Sequence, residues 1–226
     1  MLRRFLCVIL CIILLFLESC HSKRVLLSPL PSQVKTIEGH ASLRITTEQK
    51  STRSKFSFLF CLPEQGKVDV SDLLGRTLYQ IIIDEKKAFL VVPSKKVFWK
   101  GEEEEILNKF LGFPLNLYEM ICLLTGEWER EADFGKLQSE SEEWVFEKDQ
   151  KGRIISGNRR ELHFEVESFI DNSSFVRVLV FRHPLSSGRI KIINIAFNRF
   201  NPGKPLLTFS LSGFREETLS DILEKF

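Results

Sequence analysis

The chain has 226 residues, 27% of them charged, and 32 Lys and Arg nearly balance 30 Asp and Glu for a formal net charge of +2. Charges so evenly mixed give no reason to expect a nucleic acid or another polyanion as partner. The cysteines are too sparse for a disulfide scaffold, and no histidine stands near a cysteine or carboxylate at metal-ligand spacing.

At the front, Arg3 and Arg4 precede an apolar run from Phe5 to Leu17. As a helix that run spans roughly 20 Å, short of the ~30 Å hydrocarbon core, so a secretory signal is expected rather than a spanning helix. Leu17-Glu18-Ser19-Cys20 resembles the lipobox of bacterial lipoproteins, with Glu18 departing where that pattern prefers a small or β-branched residue. On this resemblance residues 1–19 are a lipoprotein signal peptide and Cys20 is the lipidation site, carrying a covalent diacylglycerol and an N-acyl chain. An ordinary signal with an incidental cysteine is the alternative. Residues 20–35, rich in Pro, Ser and basic side chains, read as a tether, and 36–226 as one domain.

From Thr36 the pattern alternates. "KTIEGHASLRIT", "SKFSFLFCL", "GKVDVSD", "RTLYQIIID", "KAFLVVP" and "KVFWKG" read as successive strands of an antiparallel meander, with Phe56, Phe58 and Phe60 on one face. The period then changes to helical over residues 102–125. Ile106, Leu107, Phe110 and Leu111 form one stripe, the glutamates 102–105 favour the helix start, and Gly112 and Pro114 end it. In the second helix Asn116 caps with Glu119 three residues on, Leu117, Met120, Ile121 and Leu124 face one side, and Gly126 terminates.

Strands resume in "EEWVFEKD", "RIISG", "RELHFEVESF", "SFVRVLVFRH", "GRIKIINIAFNRF" and "KPLLTFSLSGF". Over residues 216–226, Leu219, Ile222, Leu223 and Phe226 predict a short amphipathic helix, lying on the domain or offered to a partner. The expected fold is mainly β with helices (α+β). It is an incomplete, strongly curved antiparallel β-barrel of about 11 strands with a helical lid over an apolar cavity. Twenty Phe against 2 Tyr and 3 Trp suit a dry cavity or simply a Phe-rich core. Cys61 and Cys122 sit among apolar neighbours and read as buried thiols, though pairing stays open. There is no H-E-x-x-H, no G-x-S-x-G and no phosphate-binding glycine loop, and His163 alternates away from Leu162 and Phe164, so no enzyme is expected.

The lipobox, the meander, "DLLGRTLYQIII" and the pair "LNKFLGFPLNLYEMICLLTGEW" together resemble the LolB family of outer-membrane lipoprotein-sorting receptors. The resemblance covers Thr36 to Trp128 best. In that family a P-L-G turn commonly carries a protruding leucine. Leu73, Leu74 and Gly75 match it here, with Leu73 in place of the proline and Leu74 in the leucine position. The tryptophans common in the family's early strands are absent, and the closing amphipathic helix is not typical of the family.

The resemblance implies a monomer anchored through Cys20 at the periplasmic face of the outer membrane, without a separate cofactor. It would accept acylated lipoproteins from a LolA-like periplasmic carrier and release them into that membrane. Leu73, Leu74 and Gly75 would form the membrane-insertion loop unless the leucines fold back onto the body. Phe56, Phe58, Phe60, Phe110, Leu117, Met120 and Ile121 are the candidate acyl-chain cavity and lid. Two other readings stay open: a lipoprotein carrying a free lipid, and an accessory subunit that docks through its C-terminal helix.

Overall fold

The computed structural model describes residues 33–62, 65–72, 74–111, 113, 115–126, 144–171, 173–201 and 211–224. Cys20, Leu73, Gly112, Pro114, Phe226 and residues 204–210 of the expected strand "KPLLTFSLSGF" lie outside them. The last four residues of that stretch, 211–214, form a turn instead, with Phe214 N–H donating to Leu211 O at 2.9 Å. The strands are β1 (Thr36–Thr46), β2 (Ser51–Cys61), β3 (Gln65–Ser71), β4 (Thr77–Asp84), β5 (Lys87–Val92) and β6 (Val97–Glu102), then β7 (Val145–Lys148), β8 (Ile154–Arg159), β9 (Leu162–Phe169), β10 (Val176–His183), β11 (Ser186–Phe197) and β12 (Arg215–Glu216). The helices are α1 (Glu103–Leu111), α2 (Leu117–Thr125) and α3 (Leu219–Leu223).

All twelve strands form one sheet in the order β12-β6-β5-β4-β3-β2-β1-β11-β10-β9-β8-β7. Two meanders, β1 to β6 and β7 to β11, are zipped together by β1 against β11 over Ile37–Thr46 and Ser187–Phe197. Among the described residues the outermost strands, β12 and β7, do not pair with each other, so the sheet is an incomplete barrel. The strand absent from the sequence reading is β12, only two residues long and parallel to β6. Arg215 N–H donates to Lys96 O at 3.0 Å and Glu217 N–H to Phe98 O at 2.9 Å, which occupies the otherwise open edge of β6.

The curl of the sheet has a visible cause in the sequence. On the inner face, phenylalanines stand directly across from glycines: Phe58 opposite Gly39, Phe60 opposite Gly66, Phe164 opposite Gly157 and Phe181 opposite Gly188. Each ring fills the space that a glycine leaves: a Cβ on Gly188 would lie 2.1 Å from the Phe181 ring, and one on Gly157 2.5 Å from Phe164. Large rings covering bare backbone let the concave side tighten without loss of apolar surface.

Both long helices lie over this concave face. Three glutamates, Glu103, Glu104 and Glu105, start α1, which buries Ile106, Leu107 and Leu111. A full capping box starts α2: Asn116 Oδ1 accepts from Glu119 N–H at 2.8 Å and Glu119 Oε2 from Asn116 N–H at 3.1 Å. Gly126 closes it in the left-handed conformation at φ 73°, donating to Cys122 O at 2.8 Å. Leu219 and Ile222 of α3 are buried in the core beside β6. That helix packs on the domain, and of the four apolar residues expected to form its face, Phe226 lies outside the described residues.

Candidate functional site: the concave face and the β3–β4 tip

The interior divides into two apolar clusters with α2 as their common wall. The larger holds Phe58, Phe60, Ile81, Ile83, Leu90, Ile106, Leu117, Ile121 and Leu124 among others, with Phe56, Phe110 and Met120 packed on its margin. Phe58 and Phe60 stack with centroids 5.3 Å apart, and Phe56 continues the row at 6.2 Å. Phe110 meets Tyr79 at 4.8 Å. The smaller cluster holds Leu111, Phe113, Leu115, Leu123, Leu162, Phe164, Leu179 and Phe181, and Met120 touches it as well.

A cavity of about 30 Å³ lies in the smaller cluster, beneath α2 and above β9 and β10. Its wall is wholly apolar and includes Phe113, Met120, Leu123, Trp144, Phe164, Leu179 and Phe181. Without polar partners in its wall it stays dry. Of the seven residues expected to line a cavity or its lid, Met120 lines this one; the other six pack in the larger cluster. Phe164, Leu179 and Phe181 were legible as one face of their strands by alternation, but nothing in the sequence sets that face under α2.

One buried charge holds α2 down. The Glu119 carboxylate, 8% exposed, pairs with the Arg159 guanidinium at the end of β8, itself 10% exposed. Trp144 Nε1–H donates to the same carboxylate at 3.1 Å, and Arg159 lies over the Trp144 ring, 4.8 Å from its centroid. Nearby, Glu103 Oε2 accepts from the Leu117 N–H at 3.3 Å, linking the start of α1 to the start of α2. Burial pushes the Glu103 carboxyl up to about 7. No spacing rule in the sequence pairs Glu119 with Arg159, forty residues apart.

The β3–β4 tip is built around Asp72. Its Oδ1 accepts from Leu74 N–H at 2.8 Å and Arg76 N–H at 2.9 Å, its Oδ2 takes Arg76 Nε–H at 2.7 Å, and Gly75 turns the chain at φ 80°. These bonds from the Arg76 backbone and side chain hold the Asp72 carboxyl below its ordinary value. The same turn recurs between β7 and β8. Asp149 accepts from Lys151 N–H and Arg153 N–H at 2.9 Å each and from Arg153 Nε–H at 2.8 Å, with Gly152 at φ 77°. One turn reads D-L-L-G-R and the other D-Q-K-G-R. The backbone therefore makes no demand for leucine at the tip, yet Leu74 is there and 79% exposed, so it does not fold back onto the body.

Cys61 and Cys122 are both buried thiols, not joined in a disulfide. His40 and His163 each meet an asparagine, Asn194 at 3.0 Å and Asn158 at 2.8 Å. Among the described residues no group of His, Cys, Asp or Glu is placed to hold a metal ion, and no helix is long and apolar enough to cross a membrane.

No protein-family model and no curated protein matches the chain. Solved structures do. A LolA superfamily protein from Nitrosomonas europaea aligns with TM-score 0.53 at 10% identity, over 78% of this chain and 90% of its own. A DUF1329 family protein from Desulfovibrio piger aligns with TM-score 0.54 at 10% identity, over 81% of this chain and 93% of its own. The chain thus has the LolA-like incomplete-barrel fold.

Proposed function

We propose that this chain is a lipoprotein-sorting factor of the LolB kind, which takes acylated lipoproteins from a LolA-like periplasmic carrier and inserts them into the outer membrane. The observation that carries this reading is Leu74, an exposed leucine at the tip of a turn whose twin holds a lysine instead. A solvated leucine gains nothing from the fold, whereas one placed in lipid recovers about 2 kcal/mol.

The interior supports the same reading. A concave face lined by phenylalanine and covered by α2 offers acyl chains a dry refuge, and each methylene kept from water contributes about 0.8 kcal/mol. Transfer then runs toward the site of better burial, so neither a catalytic residue nor a nucleotide is required. At about 30 Å³ the cavity is smaller than any acyl chain, and cargo must displace α2 from β9 and β10 to enter. Lipid on Cys20 would hold the domain at the periplasmic face of the outer membrane, where two or more chains give a stable anchor.

The test is transfer. A carrier loaded with labelled triacylated lipoprotein is mixed with the full chain, either unaltered or as Leu74→Glu. Label passing to both, but reaching membranes only from the unaltered chain, is the expected result. No label passing to either folded protein refutes the receptor reading and turns attention to a free lipid as cargo.

A further inference from the structure

The strand registers place three hairpin tips side by side at one end of the sheet. Ser71 pairs with Thr77, Thr46 with Ser51, Thr46 also with Ser187, and His183 with Ser186. The β3–β4, β1–β2 and β10–β11 turns are therefore neighbours in the order β4-β3-β2-β1-β11-β10. Their outer two centres are four strand spacings apart, roughly 19 Å along the sheet. Both outer tips end in an exposed leucine, Leu74 at 79% and Leu185 at 70%. The Leu185 turn is held by its own N–H donating to His183 Nδ1 at 3.3 Å.

Between the leucines stands a basic hairpin. Arg44, Lys50 and Arg53 are exposed there against one carboxylate, Glu48. Arg44 lies directly opposite Arg53 on one side and opposite Arg189 on the other. Like charges face to face across strands destabilise a sheet, and among the described residues only Arg189 of the three has a carboxylate, Glu167 at 2.7 Å. At the other end of the sheet Lys86 and Lys87 are outnumbered by Asp84, Glu85, Glu102, Glu104 and Glu105. A row that costs the fold, framed by two apolar tips, fits one surface: anionic headgroups over hydrocarbon.

We propose that this end of the sheet docks on an anionic phospholipid bilayer, with Leu74 and Leu185 both inserted below the headgroups and Arg44, Lys50 and Arg53 against the phosphates. The Leu74 half rests on the proposed function; Leu185 and the arginine row are additional to it. Two anchoring points fix the tilt of the domain on the membrane, which one leucine cannot do.

The test uses the full chain in vesicles of phosphatidylcholine with or without phosphatidylglycerol, containing brominated lipid. A single fluorescent amino acid replaces Leu74, Leu185 or, at the opposite end, Lys151. Quenching at 74 and 185 but not at 151 is expected, and Arg44→Glu with Arg53→Glu should weaken the contact about fivefold for each cation removed. Quenching at 74 without 185 overturns the two-point docking and leaves Leu74 insertion standing; quenching at neither overturns both. Quenching at 185 that ignores lipid charge and the arginine changes overturns the headgroup contact. An emission change at 185 on adding the soluble carrier but not vesicles overturns the proposal in favour of a protein partner.

Discussion

Replacing Arg159 by methionine removes the partner of Glu119 while keeping most of the volume. The carboxylate would then be left 8% exposed with the Trp144 and Asn116 N–H groups as its remaining donors. Breaking a buried pair from one side costs about 3–5 kcal/mol, and those two donors place the expected loss near the lower bound. For a domain of this size about 3 kcal/mol corresponds to a fall in Tm of roughly 6–12 °C. Glu119→Gln leaves the Arg159 guanidinium, 10% exposed, without its counter-charge and should likewise cost about 3 kcal/mol. The double variant buries no unpaired charge, so its loss should fall short of the summed single losses by about 2 kcal/mol. Urea unfolding of the four proteins, followed by circular dichroism, measures that cycle. Additive losses, or an Arg159→Met loss under about 1 kcal/mol, would refute the claim that this pair fastens α2 to β8.

Glu103 gives the fold a pH dependence of known sign: its folded-state pKa of about 7 lies above its ordinary 4.5, so between those values the native state holds a proton the unfolded chain has lost. Stability should fall as pH rises through that window, by about 1 kcal/mol after allowing for partial solvation, and Glu103→Gln should flatten the profile in thermal melts from pH 4 to 8. Gly188→Ala drives a methyl into the Phe181 ring and should cost about 2 kcal/mol in urea, with Phe181→Leu in the same chain returning part of it; a neutral Gly188→Ala would contradict the ring-over-glycine account. Leu74→Lys, which copies Lys151 of the twin turn, should change stability by less than about 0.5 kcal/mol. Asp72→Ala removes three side-chain acceptances and should lower the urea midpoint without changing the slope of the transition.

The elements were legible because their periods are clean. Alternation through Phe56, Phe58 and Phe60 marked a strand face, and Asn116 with Glu119 announced the start of α2 three residues apart, as the capping box confirms. Which face turned inward was not legible, since alternation is symmetric; the packing of Phe58 and Phe60 in the core settles it. The small cavity escaped for another reason. Its walls come from the end of α1 and the segment after it, α2, Trp144 ahead of β7 and strands β9 to β11, and only the tertiary fold brings Phe113, Phe164 and Ile190 together. β12 was illegible because two residues carry no period at all.

The gap in the barrel falls between β7 and the short β12 that edges β6, and α1 and α2 lie in the chain between β6 and β7. On one lip the joint is tight: α1 begins at Glu103, the residue after β6 ends, and Glu103 also grips the first N–H of α2. On the other lip α2 is fastened by side chains, Glu119 to Arg159 and Trp144. If cargo enters as proposed, such a part would swing as a door rather than lift as a plug, with its hinge on β6 and its latch on β8. The void lies on the latch side, so the first few ångströms of opening would widen a space already present and leave the aromatic packing at the hinge intact.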